Sequence, residues 1–417
     1  MKYLLLVACW WMAGILPGYA QPYSVLIKGG RVIDPKNGID QVMDIGIRDG
    51  KIAAIQKQLD TTGAKQVVLA AGMLVVPGLI DIHGHHFFGT APDHYLSNGL
   101  VAVAPDGFTL RNGVTTAVDC GGAGWKNFPL FKQNIIDHSI TRVLSFLNIV
   151  GEGMRGGAWE QDTTDMNARM AAAVARQYPD LIVGFKVAHY EPAEWIPVDR
   201  AVEAGKLARL PVIIDFGGGD HPPLSIEELF FKHLRPGDIY THAFTELARR
   251  EPIVDPLTRQ LKPFVKKAQD AGILFDVGYG GASFAFSQAI PAAKAGFFPN
   301  TISTDLHIGS MNSAMKDMLN VMSTFLALKM DLKAVINAAT WAPAQAIQRQ
   351  ELGHLSVGSV ADIAVLQLAP GDYGFWDRTG TKITARHKLV CEMTIRAGKI
   401  VYDLNGIARP IVLSYSK

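Results

Sequence analysis

The fold of this chain is decided by the stretch Val76-Pro77-Gly78-Leu79-Ile80-Asp81-Ile82-His83-Gly84-His85. Its apolar residues are typical of a β-strand, in which residues two apart point to the same side. His83 and His85 therefore leave one face together, close enough to bind one metal ion. Zinc binds neutral imidazole nitrogens at about 2.0–2.1 Å, and a catalytic zinc keeps one position for water. For the His-Gly-His tripeptide alone, two ordinary histidines at a strand end would be the simpler interpretation.

Short apolar strands alternate with helical stretches through the middle of the chain, which is the pattern of parallel βα units. The strand candidates are Leu79–His83, Val114–Asp119, Arg142–Asn148, Leu181–Val187, Val212–Asp215, Asp238–His242, Leu274–Val277 and Thr301–Asp305. Helical stretches include Ser225–Leu234, begun by a capping box of Ser225 and Glu228, and Asp331–Gln348. Eight βα units predict an α/β fold, a (β/α)8 TIM barrel, with its active site at the carboxyl ends of the strands.

Both ends of the chain are rich in short strands separated by Gly, Asp and Asn turn signals. We therefore predict that residues 21–76 and residues 349–417 together build one small β-sandwich domain. The barrel domain would span residues 77–348 between them. The two ends of the chain would then meet on one side of the barrel.

The first twenty residues predict an export signal. Lys2 supplies the positive start, the apolar stretch behind it is too short to span a bilayer, and Gly18-Tyr19-Ala20 is a small-x-small cleavage site. We therefore expect a periplasmic or secreted protein with residues 1–20 removed. A lipid anchor at Cys9 ranks second, because the apolar stretch ahead of it would be unusually short. No later run is long and apolar enough to predict a membrane span.

Charge and cysteine content exclude some classes of function. Lysine and arginine number 40 against 38 acidic residues, and no basic block stands out, so nucleic-acid binding is not predicted. After signal removal only Cys120 and Cys391 remain, and their spacing indicates neither a disulfide framework nor a cysteine-based zinc site. We expect buried thiols and a small-molecule substrate as the partner, with homo-oligomerisation left open.

Polar side chains finish most of the predicted strands: His83 and His85 strand one, Lys186 strand four, Asp215 strand five, His242 strand six and Asp305 strand eight. A charged group rarely ends an apolar strand without a partner, because burying an unpaired charge is costly. One such residue is compatible with a buried ion pair. Several at one barrel mouth favour a site for cations, with ordinary strand-end polarity as the alternative.

The chain resembles the amidohydrolase superfamily and, within it, the dihydroorotase-like amidohydrolase/deacetylase group. The resemblance covers nearly all of the chain behind the signal. It rests on the motifs Pro77–His85, Gly113–Asp119, Gly184–Lys186, Gly237–His242, Ile302–His307 and Gly353–Asp362. The first and last motifs are specific to the superfamily, and the middle ones are specific to this group.

The resemblance implies a metal-dependent hydrolase with two divalent ions, usually zinc. The implied metal ligands are His83, His85, Lys186, Asp215, His242 and Asp305. Of these, His83, His85 and Asp305 would hold the more buried ion. Lys186 would be carboxylated by CO₂ and bridge both ions, a reaction that needs the neutral amine that burial favours. A plain Lys186 ammonium pairing with Asp215 is the alternative.

The resemblance also implies a metal-bound hydroxide that attacks an amide carbonyl, with Asp305 as the catalytic general base. The substrate would be an N-acyl amino acid or a small cyclic amide. Esterase activity on acylated hydroxy acids is the alternative within enzymes, since the same attack serves either carbonyl. Outside enzymes, the alternatives are a catalytically inactive barrel scaffold and a solute-binding protein.

Two residues depart from the pattern of the group. Asp215 stands where a metal-binding histidine is expected, with His221 in the following glycine-rich loop as a substitute, so the number of ions is left open between one and two. Tyr279 stands where relatives carry histidine, and it would either contact substrate or pack. Expected substrate contacts are Arg155, Tyr190, Tyr279 and His307, with a surface position the alternative for Arg155 and a supporting position for His307.

Overall fold

The computed structural model describes residues 23–215 and 224–410. The predicted export signal, Cys9 and His221 lie outside these residues. Within them the strands β1 to β17 are Val25–Asp34, Ile39–Arg48, Lys51–Gln56, Gln66–Leu69, Leu74–Pro77, Leu79–Gly84, Phe88–Ala91, Val114–Gly124, Arg142–Asn148, Ile182–Val187, Val212–Ile214, Ile239–Tyr240, Leu274–Phe275, Ile363–Trp376, Lys382–Arg396, Lys399–Asp403 and Ala408–Arg409.

The α-helices of the same residues, α1 to α10, are Phe128–Asn134, Ala168–Gln177, Ile196–Ala208, Ile226–Glu228, Pro263–Asp270, Phe286–Lys294, Ile308–Met311, Met318–Ala327, Leu332–Ala338 and Trp341–Ala346. Short 3₁₀ helices occupy Leu110–Asn112, Ile136–His138 and Gly157–Gln161, and a π-helical turn, Leu229–His233, continues α4. None of the helices described here has the length and apolar character needed to cross a membrane.

A seven-stranded parallel sheet forms the centre of the molecule, in the order β13-β12-β11-β10-β9-β8-β6. Its strands are buried on both faces, as parallel strands covered by helices are. Alternate strand residues enter two different cores. Ile80 and Ile213 lie in a core made mostly of strand residues, whereas Leu79 and Val212 pack with residues of the surrounding helices. Seven of the predicted barrel strands are therefore present.

The predicted eighth strand, Thr301–Asp305, is not a regular strand. Thr301 forms one parallel bridge with Asp276, next to β13, and Leu306 forms one with Gly84 of β6. The segment therefore touches both edges of the curled sheet. Single bridges do not make a regular strand, so the parallel sheet of the described residues is curled and has seven strands. A closed eight-stranded barrel stays a prediction.

A second, nine-stranded sheet is built from both ends of the described chain, with β1–β5 from one end and β14–β17 from the other. The ends meet where β14 pairs antiparallel with β5, opposing Ile363 to Pro77. This sheet has its own apolar core, to which Val32 and Met393 contribute. The structure thus places a separate β-rich unit beside the parallel sheet, and the predicted domain limits stay predictions.

The hairpin of β14 and β15 extends from this second sheet to the parallel one. Its tip contacts the segment that follows β13: the Tyr279 hydroxyl donates to the Trp376 carbonyl at 2.8 Å, and the Phe286 backbone N–H donates to Asp377 at 2.7 Å. The two units therefore contact each other through named hydrogen bonds as well as through the chain connections.

Two helix predictions have different outcomes. Ser225 accepts the Glu228 backbone N–H and caps α4, as the capping box predicts. The stretch Asp331–Gln348 is not one helix, because α9 and α10 are separated at Thr340, whose φ of −135° and ψ of −83° are not helical. Pro343 lies in the first turn of α10, where its missing N–H costs nothing, so the break lies just ahead of it.

Candidate metal centre and active-site cleft

Three buried side chains at the carboxyl end of the parallel sheet form a potential metal site. His83 lies in β6, and His242 follows β12. Asp305 lies in the irregular segment that bridges to both edges of the sheet, near β13 and β6. One ligand atom of each residue lies within 4.8 Å of the others. The carboxyl ends of parallel strands open on the same side of a sheet, so donors far apart in sequence meet there.

A hydrogen-bond network behind His83 sets which of its nitrogens faces the site. Thr241 donates its hydroxyl to Asp276 at 2.7 Å and lies 2.9 Å from His83 Nδ1. Because the hydroxyl proton is used on Asp276, Nδ1 carries the proton of the ring and Nε2 keeps its lone pair. Asp276 also accepts from Thr301 and Ser303 at 2.6 and 2.7 Å. Supporting bonds of this kind orient metal-binding histidines.

His242 is oriented by the backbone of Gly278. Its Nδ1 donates to the Gly278 carbonyl at 2.5 Å, which leaves Nε2 as the metal-binding atom. Gly278 has φ +45°, and a Cβ there would lie 2.8 Å from His242 Nδ1 and 3.0 Å from His83 Nδ1. A side chain at position 278 would therefore collide with both imidazoles, and only glycine fits.

His85 contacts the same carboxylate as the other donors. Its Nε2 lies 2.8 Å from Asp305 Oδ1, and within the described residues its buried Nδ1 has no hydrogen-bond partner. Burial, together with the charge of Lys186, lowers the pKa of His83 to about 3. Burial alone would raise the pKa of Asp305, but the His85 hydrogen bond and nearby imidazoles hold it well below its usual range. His83 and His85, whose pKa values are both lowered by burial, are thus neutral beside an anionic carboxylate, which fits a divalent cation.

Lys186, at the end of β10, reaches into the same centre. It is fully buried, and its Nζ lies 3.4 Å from His83 Nε2 and 4.0 Å from Asp215 Oδ2. Gly121 of β8 has φ +88°, and a Cβ there would lie 2.6 Å from Lys186 Cγ. The glycine therefore makes the room through which the lysine side chain passes.

Asp215, directly after β11, lies among cationic and imidazole groups. Its Oδ2 is 3.4 Å from His242 Nε2 and 3.8 Å from His189 Nε2, and its Oδ1 forms an ion pair with Arg250. Burial would raise the pKa of Asp215, but the charges of Arg250, His242 and Lys186 hold it well below its usual range. The six predicted ligands therefore come together, and Arg250 joins them.

Three residues of this centre have a left-handed backbone. His189, His242 and Asp305 have φ of +54°, +54° and +55°. A residue other than glycine in this region costs about 1–3 kcal/mol and persists only where its surroundings hold it. The strain lies at the ends of strands, where it turns the side chains into the centre.

A cavity of about 500 Å³ opens onto the centre. His85, Asp215, His242 and Asp305 form its floor, and His307, a predicted substrate contact, lies in its wall. His307 also caps α7, accepting the Gly309 N–H at 3.1 Å.

A second cavity of about 830 Å³ adjoins the first and shares Tyr95, His189 and Glu191 with it. Arg155, the predicted carboxylate contact, lines this second cavity rather than the first. Its guanidinium carbon stacks 4.0 Å from the centre of the Trp159 ring, in cation–π range.

The two predicted tyrosine contacts are held elsewhere. Tyr190 is buried in the main apolar core, and its hydroxyl donates to Glu194 at 3.0 Å. Tyr279 stacks on Phe284 with ring centroids 4.2 Å apart, and its hydroxyl is engaged by Trp376. Neither tyrosine lines either of the two cleft cavities. Nearness to a ligand in sequence did not place these side chains in the cleft, because successive residues leave a strand end in different directions.

Three residues that line the cleft, His189, Glu160 and Arg250, were not predicted from the sequence. His189, only three residues after Lys186, lines both cavities and donates from Nδ1 to the buried carboxylate of Glu160 at 2.8 Å. Burial opposes protonation, but Glu160 raises the pKa of His189. Arg250 lies eight residues after His242 outside the regular elements, and no local pattern marks it. The position of His189 just behind a predicted ligand was the one available signal.

Cys120 and Cys391 are buried free thiols, as predicted. The fold and the site together define a class, the hydrolases that carry metal donors at the carboxyl end of a curled parallel sheet.

Comparison with known proteins assigns this class to a family. The model of the Amidohydrolase family matches residues 285–401. A deacetylase of Brucella anthropi is 32% identical over 349 residues, 82% of this chain and 83% of that protein. The crystal structure of an adenine deaminase is 26% identical with a TM-score of 0.81, covering 91% of this chain and 100% of that one. A dihydroorotase structure is 27% identical with a TM-score of 0.79, covering 91% and 99%.

The chain belongs to the amidohydrolase family and is a hydrolase that acts on C–N bonds. Members of this family generally bind divalent metal ions. The cluster of His83, His242 and Asp305 has the donor types and the spacing for such an ion.

Proposed function

We propose that the protein is a metal-dependent amidohydrolase that removes the acyl group of an N-acyl amino acid or opens a small cyclic amide. The observation that carries the proposal is the buried donor set on the floor of a cavity of about 500 Å³. The deacetylase relative aligns over most of both chains, which favours acyl removal. We include small cyclic amides as substrates because the chain is also similar to a dihydroorotase structure.

His83, His85, His242 and Asp305 would hold the divalent ion, and zinc is the ion we propose. Carboxylation of Lys186 by CO₂ is part of the proposal, since its buried amine lies 3.4 Å from His83 Nε2. A carbamate there would add an anionic donor where an ammonium would repel the ion. Mass spectrometry of the intact protein in bicarbonate buffer would detect the added CO₂.

When bound, the ion would acidify a water molecule and polarise the substrate carbonyl. Asp305 is the residue that would accept the proton of the attacking water and return it to the leaving nitrogen. His85 Nε2 lies 2.8 Å from Asp305 Oδ1, so these two donors face the same position. The walls of the cavity, including Met154 and Leu247, would exclude bulk water from the reacting atoms.

Arg155 would bind the carboxylate of an acylated amino acid in the second cavity. Its Nη atoms lie 3.9 Å from Asp93 and from Glu152, too far for direct hydrogen bonds. Within the described residues, its buried Nε has no hydrogen-bond partner. A guanidinium held by Trp159 with unused donors can bind a carboxylate bidentately.

An activity screen tests this function. Purified protein with zinc would be assayed on N-acetyl and N-formyl derivatives of D- and L-amino acids, on small cyclic amides, and on matched O-acetyl hydroxy acids. We expect turnover of at least one amide, abolished in Lys186→Ala. Turnover of esters alone would show that the protein is an esterase and not an amidohydrolase. No turnover together with no bound metal would favour a barrel scaffold.

We also propose export to the periplasm or the medium, on the strength of the signal-like residues 1–20. The mature protein recovered from a bacterial expression host would then begin at Gln21. A lipid-modified product starting at Cys9 would show membrane anchoring, and an intact N-terminus would contradict export.

A further inference from the structure

The environment of Asp215 does not suit a second metal ion. Its carboxylate is buried, and its Oδ1 forms an ion pair with Arg250. The Arg250 side chain is itself only 6% exposed, so the pair is removed from solvent. A buried guanidinium in contact with a carboxylate already supplies the positive charge that a second ion would bring.

The imidazole of His242 lies close both to Asp215 and to the donors His83 and Asp305. Its Nε2 is 3.4 Å from Asp215 Oδ2, and a ligand atom of His242 lies within 4.8 Å of those of His83 and Asp305. The rings of His83 and His242 are 4.9 Å apart between centroids. His242 can therefore bind the same ion as His83 and Asp305 while Arg250 balances the charge of Asp215.

The balance of charge points the same way. With Lys186 carboxylated, the centre holds three anionic groups, at Asp305, Asp215 and the carbamate. One divalent ion and the Arg250 guanidinium balance these three charges, whereas a second divalent ion beside the guanidinium would leave two positive charges in excess, more than one bound hydroxide could balance. With Lys186 as an ammonium, the excess would be larger still. Uncompensated buried charge is strongly unfavourable.

We propose that Arg250 takes the place of the second metal ion, so that the centre holds one divalent cation and one guanidinium. The proposal rests on the proposed function, because it concerns the same metal-dependent site. Arg250 also lines the cavity beside Asp215 and His242, which places its positive charge at the wall that substrate would contact. The ion pair of Asp215 and Arg250 would then stand where a two-ion site has its second metal ion.

Metal content at saturating zinc tests the proposal directly. Wild-type protein, dialysed and measured by elemental analysis, should hold about one equivalent of zinc. Arg250→Met should gain a second, because Asp215 is then available as a ligand. The matched control is Arg259→Met, which removes the same charge from an exposed position and should keep one equivalent. The double variant Asp215→His with Arg250→Met, which restores the expected histidine, should also hold two.

A second measurement needs no variant. Manganese-loaded wild-type protein should give the electron paramagnetic resonance spectrum of isolated Mn²⁺ up to saturation. Two equivalents of zinc in the wild type, or an exchange-coupled manganese pair, would overturn the proposal and leave the metal-dependent hydrolase intact. One equivalent in both folded Arg250 variants would show that Arg250 is not what excludes the second ion. No bound metal in any protein would overturn the proposed function as well.

Discussion

The two halves of the cleft floor, around His83 and around Asp215, solve the same physical problem differently. Both place buried polar groups at the carboxyl ends of strands, where an unpaired charge is costly. Around His83, the imidazoles and the Asp305 carboxylate have ligand atoms within 4.8 Å of one another, a spacing that suits a metal ion. Around Asp215, the chain supplies the cation itself through Arg250. Strand-end polarity alone therefore does not show whether the partner is an ion or a side chain.

The largest expected effect comes from removing the carboxylate on the His83 side. Asp305→Asn should lower kcat/KM by at least about 10³-fold, because it removes the proposed proton acceptor and a metal donor together. Steady-state kinetics on the best substrate of the screen, with zinc content measured in parallel, check the loss. A variant retaining a tenth of wild-type turnover would show that Asp305 does not act on the reacting atoms.

On the Asp215 side the largest effect should be on stability. Arg250→Met in metal-stripped protein leaves a buried carboxylate without its guanidinium, and breaking a buried pair in this way costs about 3–5 kcal/mol. Arg259→Met, at an exposed position, should change the free energy of unfolding by less than about 0.5 kcal/mol. Urea unfolding measures both, and zinc should recover part of the loss in Arg250→Met. Equal stabilities of the two variants would mean that the Asp215–Arg250 pair does not matter to the fold.

A smaller effect should follow from disturbing the backbone that supports both imidazoles. Gly278→Ala places a methyl group 2.8 Å from His242 Nδ1, and changes to such supporting contacts typically lower metal affinity about 10–100-fold. The matched control is Gly296→Ala, because Gly296 also has a positive φ but no atom within 4 Å of an added Cβ. Competition with a chelator measures zinc affinity. Similar losses of affinity in both variants would assign the effect to backbone strain rather than to the collision.

The smallest effect is expected at a residue that the sequence assigned either to substrate binding or to packing. Tyr279→Phe removes the hydrogen bond to the Trp376 carbonyl and should cost about 0.5–1.5 kcal/mol of stability. Its kcat/KM should stay within a factor of two or so of wild type. A tenfold fall in kcat/KM at unchanged stability would indicate that Tyr279 contacts the substrate.

The parallel strands were predictable because each is a short, mostly apolar segment. Arg142–Asn148 has the predicted limits, but Asp238–His242 shortens to Ile239–Tyr240. The strand ends early because His242 has a left-handed backbone. That conformation cannot be predicted from the strand propensities of the residues. The same cause applies to Thr301–Asp305, where Asp305 is left-handed and only single bridges form.

The candidate metal ligands were predictable because they end apolar strands, so their placement follows from the topology of the sheet. Arg250 was not, because a buried ion pair between a strand end and a distant loop leaves no periodic signal in either segment. Arg155 and His307 line the cleft, and their contact with substrate stays a prediction, whereas the side chains of Tyr190 and Tyr279 are held by Glu194 and Trp376.

Diffraction from crystals soaked in zinc, recorded at the zinc absorption edge, tests the central comparison most directly. The anomalous difference map should show one peak among His83, His242 and Asp305, with Arg250 still paired to Asp215. A second peak bound by Asp215, or no peak at all, would contradict the account.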